Sequence, residues 1–150
     1  MNIYQRHGAR VKIATAADFQ GNRWTNTAVM LPTPRAAFLT PAGSIARPFQ
    51  RHNGTHAVSV RQASPELDIA ASRTGNRLYL HVANLEYRRS VEATFSGTTG
   101  GRVFEIAPED LRSYVNQDQP EVFRPSERTV EESAWRFPPG SVSALELDLP

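Results

Sequence analysis

The chain has 150 residues and a mass of 16.7 kDa, which is enough for one domain with one hydrophobic core. Hydrophobic residues make up 39% and charged residues 21%, a balance typical of a folded chain and not of a disordered one. The net charge of +2 conceals an asymmetry. Residues 1–54 carry seven basic groups and one acid, a net charge of +6, whereas residues 55–150 carry ten arginines and fourteen acids, a net charge of −4.

Composition excludes several classes of protein. With no cysteine, the chain has no disulfide framework, thiol nucleophile or zinc–cysteine site. No apolar run approaches the roughly 18–20 residues that span a bilayer, and residues 1–10 lack the apolar centre of a secretory signal, so we expect a cytoplasmic protein. His52 and His56 have a spacing that could hold a metal on a helix, but Asn53-Gly54 between them ends the helix. No metal and no cofactor are expected.

The first 54 residues alternate between helical and short apolar segments. Residues 3–10 predict the end of a helix, stopped near Gly8. Residues 11–17 are small and mostly apolar without alternation, which predicts a strand buried on both faces, as in a parallel sheet. A polar loop follows over residues 18–27, and residues 28–31 are apolar again.

A second helix is predicted to begin at Thr40-Pro41, because threonine suits the N-cap and proline the first helical position. Ile45 and Phe49 are four residues apart and would share one face of this helix. Pro48 is expected to kink or shorten it, and Asn53-Gly54 to close it.

After residue 54 the hydrophobic period changes to two. The alternating segments are 57–61, 67–70, 78–82, 91–95, 103–106 and 142–149, and Trp135 with Phe137 indicates a further strand that anchors the core. Turn-forming residues separate these segments, at Ser64-Pro65, Thr74-Gly75-Asn76, residues 97–101 and Pro138-Pro139-Gly140. Short alternating strands at this spacing predict an antiparallel sandwich, with a boundary near residue 54.

Several segments also carry a family pattern in a fixed order. They are Val11-Lys12-Ile13-Ala14, Asn22-Arg23-Trp24-Thr25-Asn26, Leu39-Thr40-Pro41 followed by His52 and Gly54, Val82-Ala83-Asn84, Asn116 to Pro120 with Val122 and Pro125, and Phe137-Pro138-Pro139-Gly140-Ser141-Val142. Together they resemble the C-terminal portion of α-L-arabinofuranosidases of glycoside hydrolase family 51. The resemblance covers nearly the whole chain.

The resemblance implies a fold class that is mainly β. It implies an antiparallel β-sandwich, the C-terminal domain of a glycosidase, over residues 55–150. Residues 1–54 would precede it as a βα remnant, the last strand and helix, of a (β/α)8 barrel.

The family is made of retaining glycosidases, which need two carboxylates about 5–5.5 Å apart. In that family both are glutamates on earlier barrel strands, so this chain is expected to contain no catalytic residue. All ten glutamates lie at Glu66 or later, and a solvated outer face is the expected place for each. Glu131-Glu132 is no catalytic pair, because neighbours on a strand point to opposite faces.

Three residues are candidates for sugar binding. Asp18 follows the predicted parallel strand, where barrel active sites lie, and the alternative is a loop-capping role. Trp24 could stack on a sugar or pack between barrel and sandwich. Asn22 belongs to the loop that resembles the family's Asn/Trp loop.

The resemblance leaves two readings of function. In the first, the chain is part of an arabinofuranosidase-like enzyme of hemicellulose breakdown, either a truncated product or a small subunit, and a larger chain carries the missing barrel strands. Self-association is the other expected partnership, since the uncovered barrel surface is apolar. In the second, it is a free-standing carbohydrate-binding or accessory sandwich without catalysis. Nucleic acid is not an expected partner, because the basic residues occur singly.

Overall fold

The computed structural model describes residues 1–15, 19–22, 27–61 and 64–150. In chain order its elements are α1 (Asn2–Arg6), β1 (Gln20–Gly21), β2 (Val29–Met30), β3 (Phe38–Leu39), α2 (Pro41–Arg51), β4 (His56–Val58), β5 (Leu67–Thr74), β6 (Arg77–Asn84), β7 (Val91–Thr94), β8 (Gly101–Ile106), β9 (Ser126–Val130), β10 (Ala134–Phe137) and β11 (Val142–Asp148). The predicted mainly β, antiparallel fold is confirmed. Within the described ranges, no helix is long and apolar enough to cross a membrane.

Two antiparallel sheets enclose the core. The larger has six strands in the order β4-β5-β6-β11-β8-β9, and the smaller pairs β10 with β7. Alternate residues of the large sheet face the small one, as the period of two requires. Their buried cluster comprises Leu67, Leu80, Val82, Val91, Phe95, Val103, Val130, Phe137, Leu145 and Leu147. Burying each large apolar side chain contributes about 1.5–3 kcal/mol, so this cluster is the main source of stability.

The strands of the sandwich mostly coincide with segments that the sequence predicts, and β9 is the exception among them. Its residues, Ser126–Val130, are exposed apart from Val130, and β9 lies at the edge of the large sheet. A polar edge strand carries no apolar alternation, so the sequence pattern does not reveal it. Polar edges of this kind also discourage pairing with other chains.

The predicted buried strand over residues 11–17 is wrong where the structure describes it. Residues 11–15 form no strand, and Ile13 is 82% exposed. A strand buried on both faces needs neighbouring strands and two covering layers, and the described chain supplies neither here. Residues 16 and 17 lie outside the described residues. A parallel pair occurs later, where β1 lies beside β2, and β3 joins β2 antiparallel.

Helix α2 begins as predicted. Thr40 is the N-cap, its hydroxyl accepts from the amide of Gly43 at 3.4 Å, and the same hydroxyl donates to the Thr27 carbonyl at 2.6 Å. Pro48 lies inside the helix, which continues past it to Arg51 and is therefore not shortened at Pro48. α1 ends at Arg6, close to its predicted end near Gly8.

Both helices cover the face of the large sheet that lies opposite the core, which we call the helix face. The ring of Phe49 stacks on His81 with centroids 3.9 Å apart, and His52 stacks on Phe104 at 3.7 Å. From α1, Asn2 donates to the backbone carbonyl of His81 at 3.2 Å. The 1–54 part therefore packs directly on the sandwich. Its assignment as a barrel remnant stays a prediction.

Candidate functional site

A groove opens beside the parallel strands. Because β1 and β2 run parallel, their carboxyl ends meet at one edge, which is where α/β proteins place ligand sites. Asn22 follows β1 directly and Pro32 comes two residues after β2, and both line the groove. Its volume is about 690 Å³, within the range of small-molecule sites. The groove is the best-placed candidate for a sugar site.

The sandwich supplies the opposite wall of this groove through the connection 113–118. Arg35 donates to Asp118 at 3.1 Å and joins the loop after β2 to this connection. Asn116 folds the connection back, since its side-chain oxygen accepts from the amides of Asp118 and Gln119 at 2.9 and 2.8 Å. Tyr114 lines the groove with 71% of its surface exposed. An exposed aromatic ring beside amide groups suits the apolar face and hydroxyls of a sugar.

Of the three predicted sugar-binding residues, only Asn22 lies in the described part of the chain. It is exposed and lines the groove, a position compatible with a substrate contact. Asp18 and Trp24 lie outside the described residues. The assignment of all three stays a prediction. Tyr114 was missed because a single aromatic on a polar connection has no periodicity, although the family-like run from Asn116 to Pro120 pointed to this segment.

Two glutamates are buried, contrary to the expectation that all lie on a solvated outer face. Glu105 is 3% exposed and Glu146 is 9% exposed. Glu105 accepts from the Ser143 hydroxyl at 3.1 Å and pairs with Ser143 across the sheet, so it lies on the core side. Glu146 is three residues further along β11 and therefore points to the helix face. The two carboxylates lie on opposite sides of one sheet and cannot act on one bond.

Glu146 is held by a charged network at the helix face. Nδ1 of His52 donates to its Oε1 at 2.9 Å, and Arg102 donates to its Oε2 at 2.6 Å. Burial alone would raise the pKa of the Glu146 carboxyl, but the hydrogen bonds from His52 and Arg102 outweigh it, and the pKa lies below its usual value. This carboxylate is ionised and joins α2 to the sheet. Its contacts are structural.

His81 lies in the middle of β6 and is packed against its neighbours. It is 2% exposed, with Nε2 2.9 Å from the His52 carbonyl and Nδ1 2.8 Å from the Gln5 side-chain oxygen. Burial lowers the pKa of its imidazole to about 4, and the positive charges of His52 and the amino terminus act in the same direction. His52 is hydrogen-bonded to Glu146. His52 and His56, whose spacing could have suggested a metal site, therefore have separate roles. No cluster of three metal-ligating side chains occurs among the described residues.

These features define a class of fold. The large sheet of an antiparallel sandwich has one face covered by helices, and this fold matches C-terminal domains of glycoside hydrolases. No family model matches the sequence, and no curated protein matches it either.

Several solved structures of α-L-arabinofuranosidases are similar to this chain. One is α-L-arabinofuranosidase from Thermotoga maritima in an arabinose complex, with a TM-score of 0.79 and 18% identity over 99% of this chain and 36% of that chain. The thermostable family 51 enzyme from Thermotoga petrophila has a TM-score of 0.77 and 18% identity, over 98% of this chain and 36% of that one. The family 51 enzyme from Xanthomonas axonopodis has a TM-score of 0.75 and 16% identity, over 98% and 33%.

The chain therefore has the fold of a C-terminal portion of family 51 α-L-arabinofuranosidases. It spans about a third of the length of the enzymes it matches. The resemblance predicted from the sequence is confirmed at the level of the fold.

Proposed function

We propose that the chain serves as the C-terminal portion of a retaining glycoside hydrolase that acts on arabinosides such as those of hemicellulose. It supplies the sandwich and the end of the barrel, as a subunit or as part of a longer polypeptide. The observation that carries the proposal is the match of 99% of this chain to 36% of an arabinofuranosidase. The rest of the barrel, with both catalytic glutamates, is supplied by what we call the barrel polypeptide.

The carboxylates of the chain support this division of labour. Retaining hydrolysis needs two carboxyl groups on either side of one glycosidic bond, about 5–5.5 Å apart. The two buried glutamates, Glu105 and Glu146, face opposite sides of a sheet, and each is held by structural partners. The chain contributes sugar-binding groups in the groove, from Asn22 and Tyr114, and the barrel polypeptide contributes the reacting groups.

Exposed apolar side chains in the 1–54 part support docking of the barrel polypeptide. Ile3, Ile13, Phe19 and Leu31 are 61%, 82%, 59% and 39% exposed. Apolar groups this exposed favour burial against a partner. Arg10 and Lys12 lie in the same part and make no ion pair within the described chain, so the partner surface is expected to be apolar with acidic groups.

Co-purification with the barrel polypeptide tests this assembly. The two polypeptides are expressed together, and we expect a one-to-one complex by light scattering. Replacing Ile13 and Phe19 by aspartate removes two docking contacts and introduces charge, and we expect at least tenfold weaker association, about 1.4 kcal/mol or more. Val60→Asp is the matched control, because Val60 is also exposed, at 38%, but lies in the sandwich part.

Two results would contradict the assembly. One is equal association of the Ile13/Phe19 variant and the Val60 variant. The other is that this chain is a stable monomer and does not bind the barrel polypeptide. Circular dichroism of each variant shows that the sandwich remains folded, since neither substitution touches its core.

A second candidate function is a carbohydrate-binding sandwich without catalysis. The observation that favours it is a separate cleft on the sandwich, lined by the exposed ring of Tyr87 and the buried carboxylate of Glu105. Binding without any barrel polypeptide would distinguish this role from the first.

A further inference from the structure

The cleft on the sandwich shares no lining residue with the groove. It has a volume of about 700 Å³ and is lined by the strand ends of β8 and β9, by residues 107–112 and by Pro138-Pro139. The wall formed by residues 107–112 packs closely against Gly140, because a Cβ added at Gly140 would lie 2.8 Å from a side-chain carbon of Leu111. The cleft is a formed feature of the surface.

Glu105 provides a hydrogen-bond acceptor in this cleft. Its Oε2 accepts from Trp135 Nε1 at 2.9 Å and from the Ser143 hydroxyl at 3.1 Å. The other carboxylate oxygen of Glu105, Oε1, accepts no hydrogen bond from the described chain. Asn2 Oδ1 and Ser141 Oγ also lack a partner, but they are fully buried, whereas Glu105 Oε1 keeps some contact with solvent. A carboxylate oxygen in a largely buried residue strongly favours a donor. The cleft therefore holds an acceptor without a partner from the protein.

Donors stand close to this acceptor without occupying it. Arg128 lies on β9 two residues from Ser126, the cross-strand partner of Glu105, so Arg128 and Glu105 share one sheet face. No ion pair joins Arg128 to Glu105, and Arg112 likewise makes none with another described residue. Arg124 makes only an exposed contact with Glu121, at 3.6 Å. These guanidinium groups are available to a ligand that also donates to Glu105.

The balance of charge in the cleft indicates which class of ligand it can bind. Its lining has three arginines and three acids, so it attracts neither a polyanion nor a polycation. Tyr87 is 72% exposed and Leu111 is 44% exposed, which gives the wall an aromatic and an aliphatic surface. Acceptors, donors and an aromatic face together match the hydroxyls and apolar faces of a neutral sugar.

We propose that this cleft binds a neutral sugar residue of an oligosaccharide. Glu105 Oε1 accepts from a sugar hydroxyl, Arg128 donates to a second hydroxyl, and Tyr87 covers an apolar face of the ring. The site lies on the sandwich and needs no barrel polypeptide. The proposed site can therefore be tested independently of the proposed hydrolase.

Nuclear magnetic resonance of the isotopically labelled chain tests the site. The chain has two tryptophans, so the indole N–H of Trp135 is one of two signals and reports directly on Glu105. Arabinotriose, xylotriose and cellotriose are each added to about 20 mM, a range suited to millimolar affinity. We expect at least one of them to shift the Trp135 indole signal with saturation.

Two variants assign the binding to the named groups. Glu105→Gln keeps an oxygen for Trp135 and Ser143 but replaces the free acceptor by a donor, and Tyr87→Ala removes an exposed ring without touching the core. Each is expected to weaken binding about tenfold or more. Tyr114→Ala is the matched control, because Tyr114 is 71% exposed but lines the other groove, and the Trp135 shift should persist.

Three outcomes would overturn the site. The first is no shift of the Trp135 indole with any of the three sugars. The second is unchanged affinity in both Glu105→Gln and Tyr87→Ala. The third is an equal response to sodium sulfate or to trilysine, which would assign the cleft to an anion or to a basic peptide.

Discussion

Glu146 shows how a single buried charge joins the two parts of the chain. It is on β11, whereas His52 follows α2, and their hydrogen bond is 2.9 Å long. Arg102 holds the other oxygen at 2.6 Å and also contacts the exposed Glu127 at 3.1 Å. A charge this buried is stabilising only while its partners are present.

Replacing Glu146 by glutamine tests this network. The substitution keeps the size of the side chain but leaves Arg102 and His52 without a buried anion, so we expect the free energy of unfolding to fall by about 1–3 kcal/mol. Glu127→Gln is the matched control, because it removes an exposed contact of the same arginine and should cost less than about 0.5 kcal/mol. Urea unfolding measures both, and equal losses would contradict the network.

His81 makes stability depend on pH. Its pKa in the folded chain is about 4, below the usual 6.5, because the buried site favours the neutral ring. The stabilisation is complete above pH 6.5 and is lost as the pH falls from 6.5 to about 4, a total of about 3 kcal/mol. Glu146 acts in the same direction at lower pH, since its lowered pKa gives a stabilisation that is lost as pH falls below 4.5.

Chemical unfolding at a series of pH values measures this dependence. His81→Gln is expected to remove most of the decline between pH 6.5 and 4, although the variant will be less stable at every pH. His7→Gln is the control, because His7 is exposed and should leave the slope unchanged. A decline of unchanged steepness in His81→Gln would show that another group is responsible.

At the scale of elements, the connection 113–118 completes the groove beside β1 and β2. If the groove binds the sugar of the substrate, Tyr114→Ala in the assembled enzyme should raise KM about fivefold to tenfold, with a smaller effect on kcat, because a binding surface is lost while the reacting groups stay in place. Tyr114→Phe keeps the ring and should stay close to the parent. Steady-state kinetics with an aryl arabinofuranoside measures both, and an unchanged KM for Tyr114→Ala would remove Tyr114 from the site.

Local patterns predicted the elements that bury one face, and tertiary packing decided the rest. Strand β6 has Leu80 and Val82 in alternation, and Thr40 caps α2, so both follow from neighbouring residues. The burial of Glu105 and Glu146 does not follow from neighbouring residues. Glu146 alternates with Leu145 and Leu147, which marks it as outward, and it is His52 that covers it. Glu105 shares the inward face with Val103, but a charged side chain there is explained only by the hydrogen bonds from Trp135 and Ser143. The prediction of a strand over residues 11–15 was wrong for the opposite reason. Their composition suits a buried strand, but the layers that would bury them are not in the described chain.

At the scale of the whole molecule, the charge asymmetry of the sequence is partly neutralised within the fold. Arg6 pairs with Asp68 at 2.5 Å and Arg35 with Asp118 at 3.1 Å, so basic groups of the 1–54 part meet acids of the sandwich. Arg47 and Arg51, by contrast, make no ion pair with any described residue. The remaining positive charge is therefore available to the barrel polypeptide of the proposed enzyme.

The rate of 4-nitrophenol release from 4-nitrophenyl α-L-arabinofuranoside is the sharpest test of the proposed two-part hydrolase. It is measured for the chain alone, for the barrel polypeptide alone and for the two purified together. We expect no release above buffer from either polypeptide alone and steady turnover from the complex. Turnover by this chain alone, or no turnover by a stable one-to-one complex, would contradict the proposal.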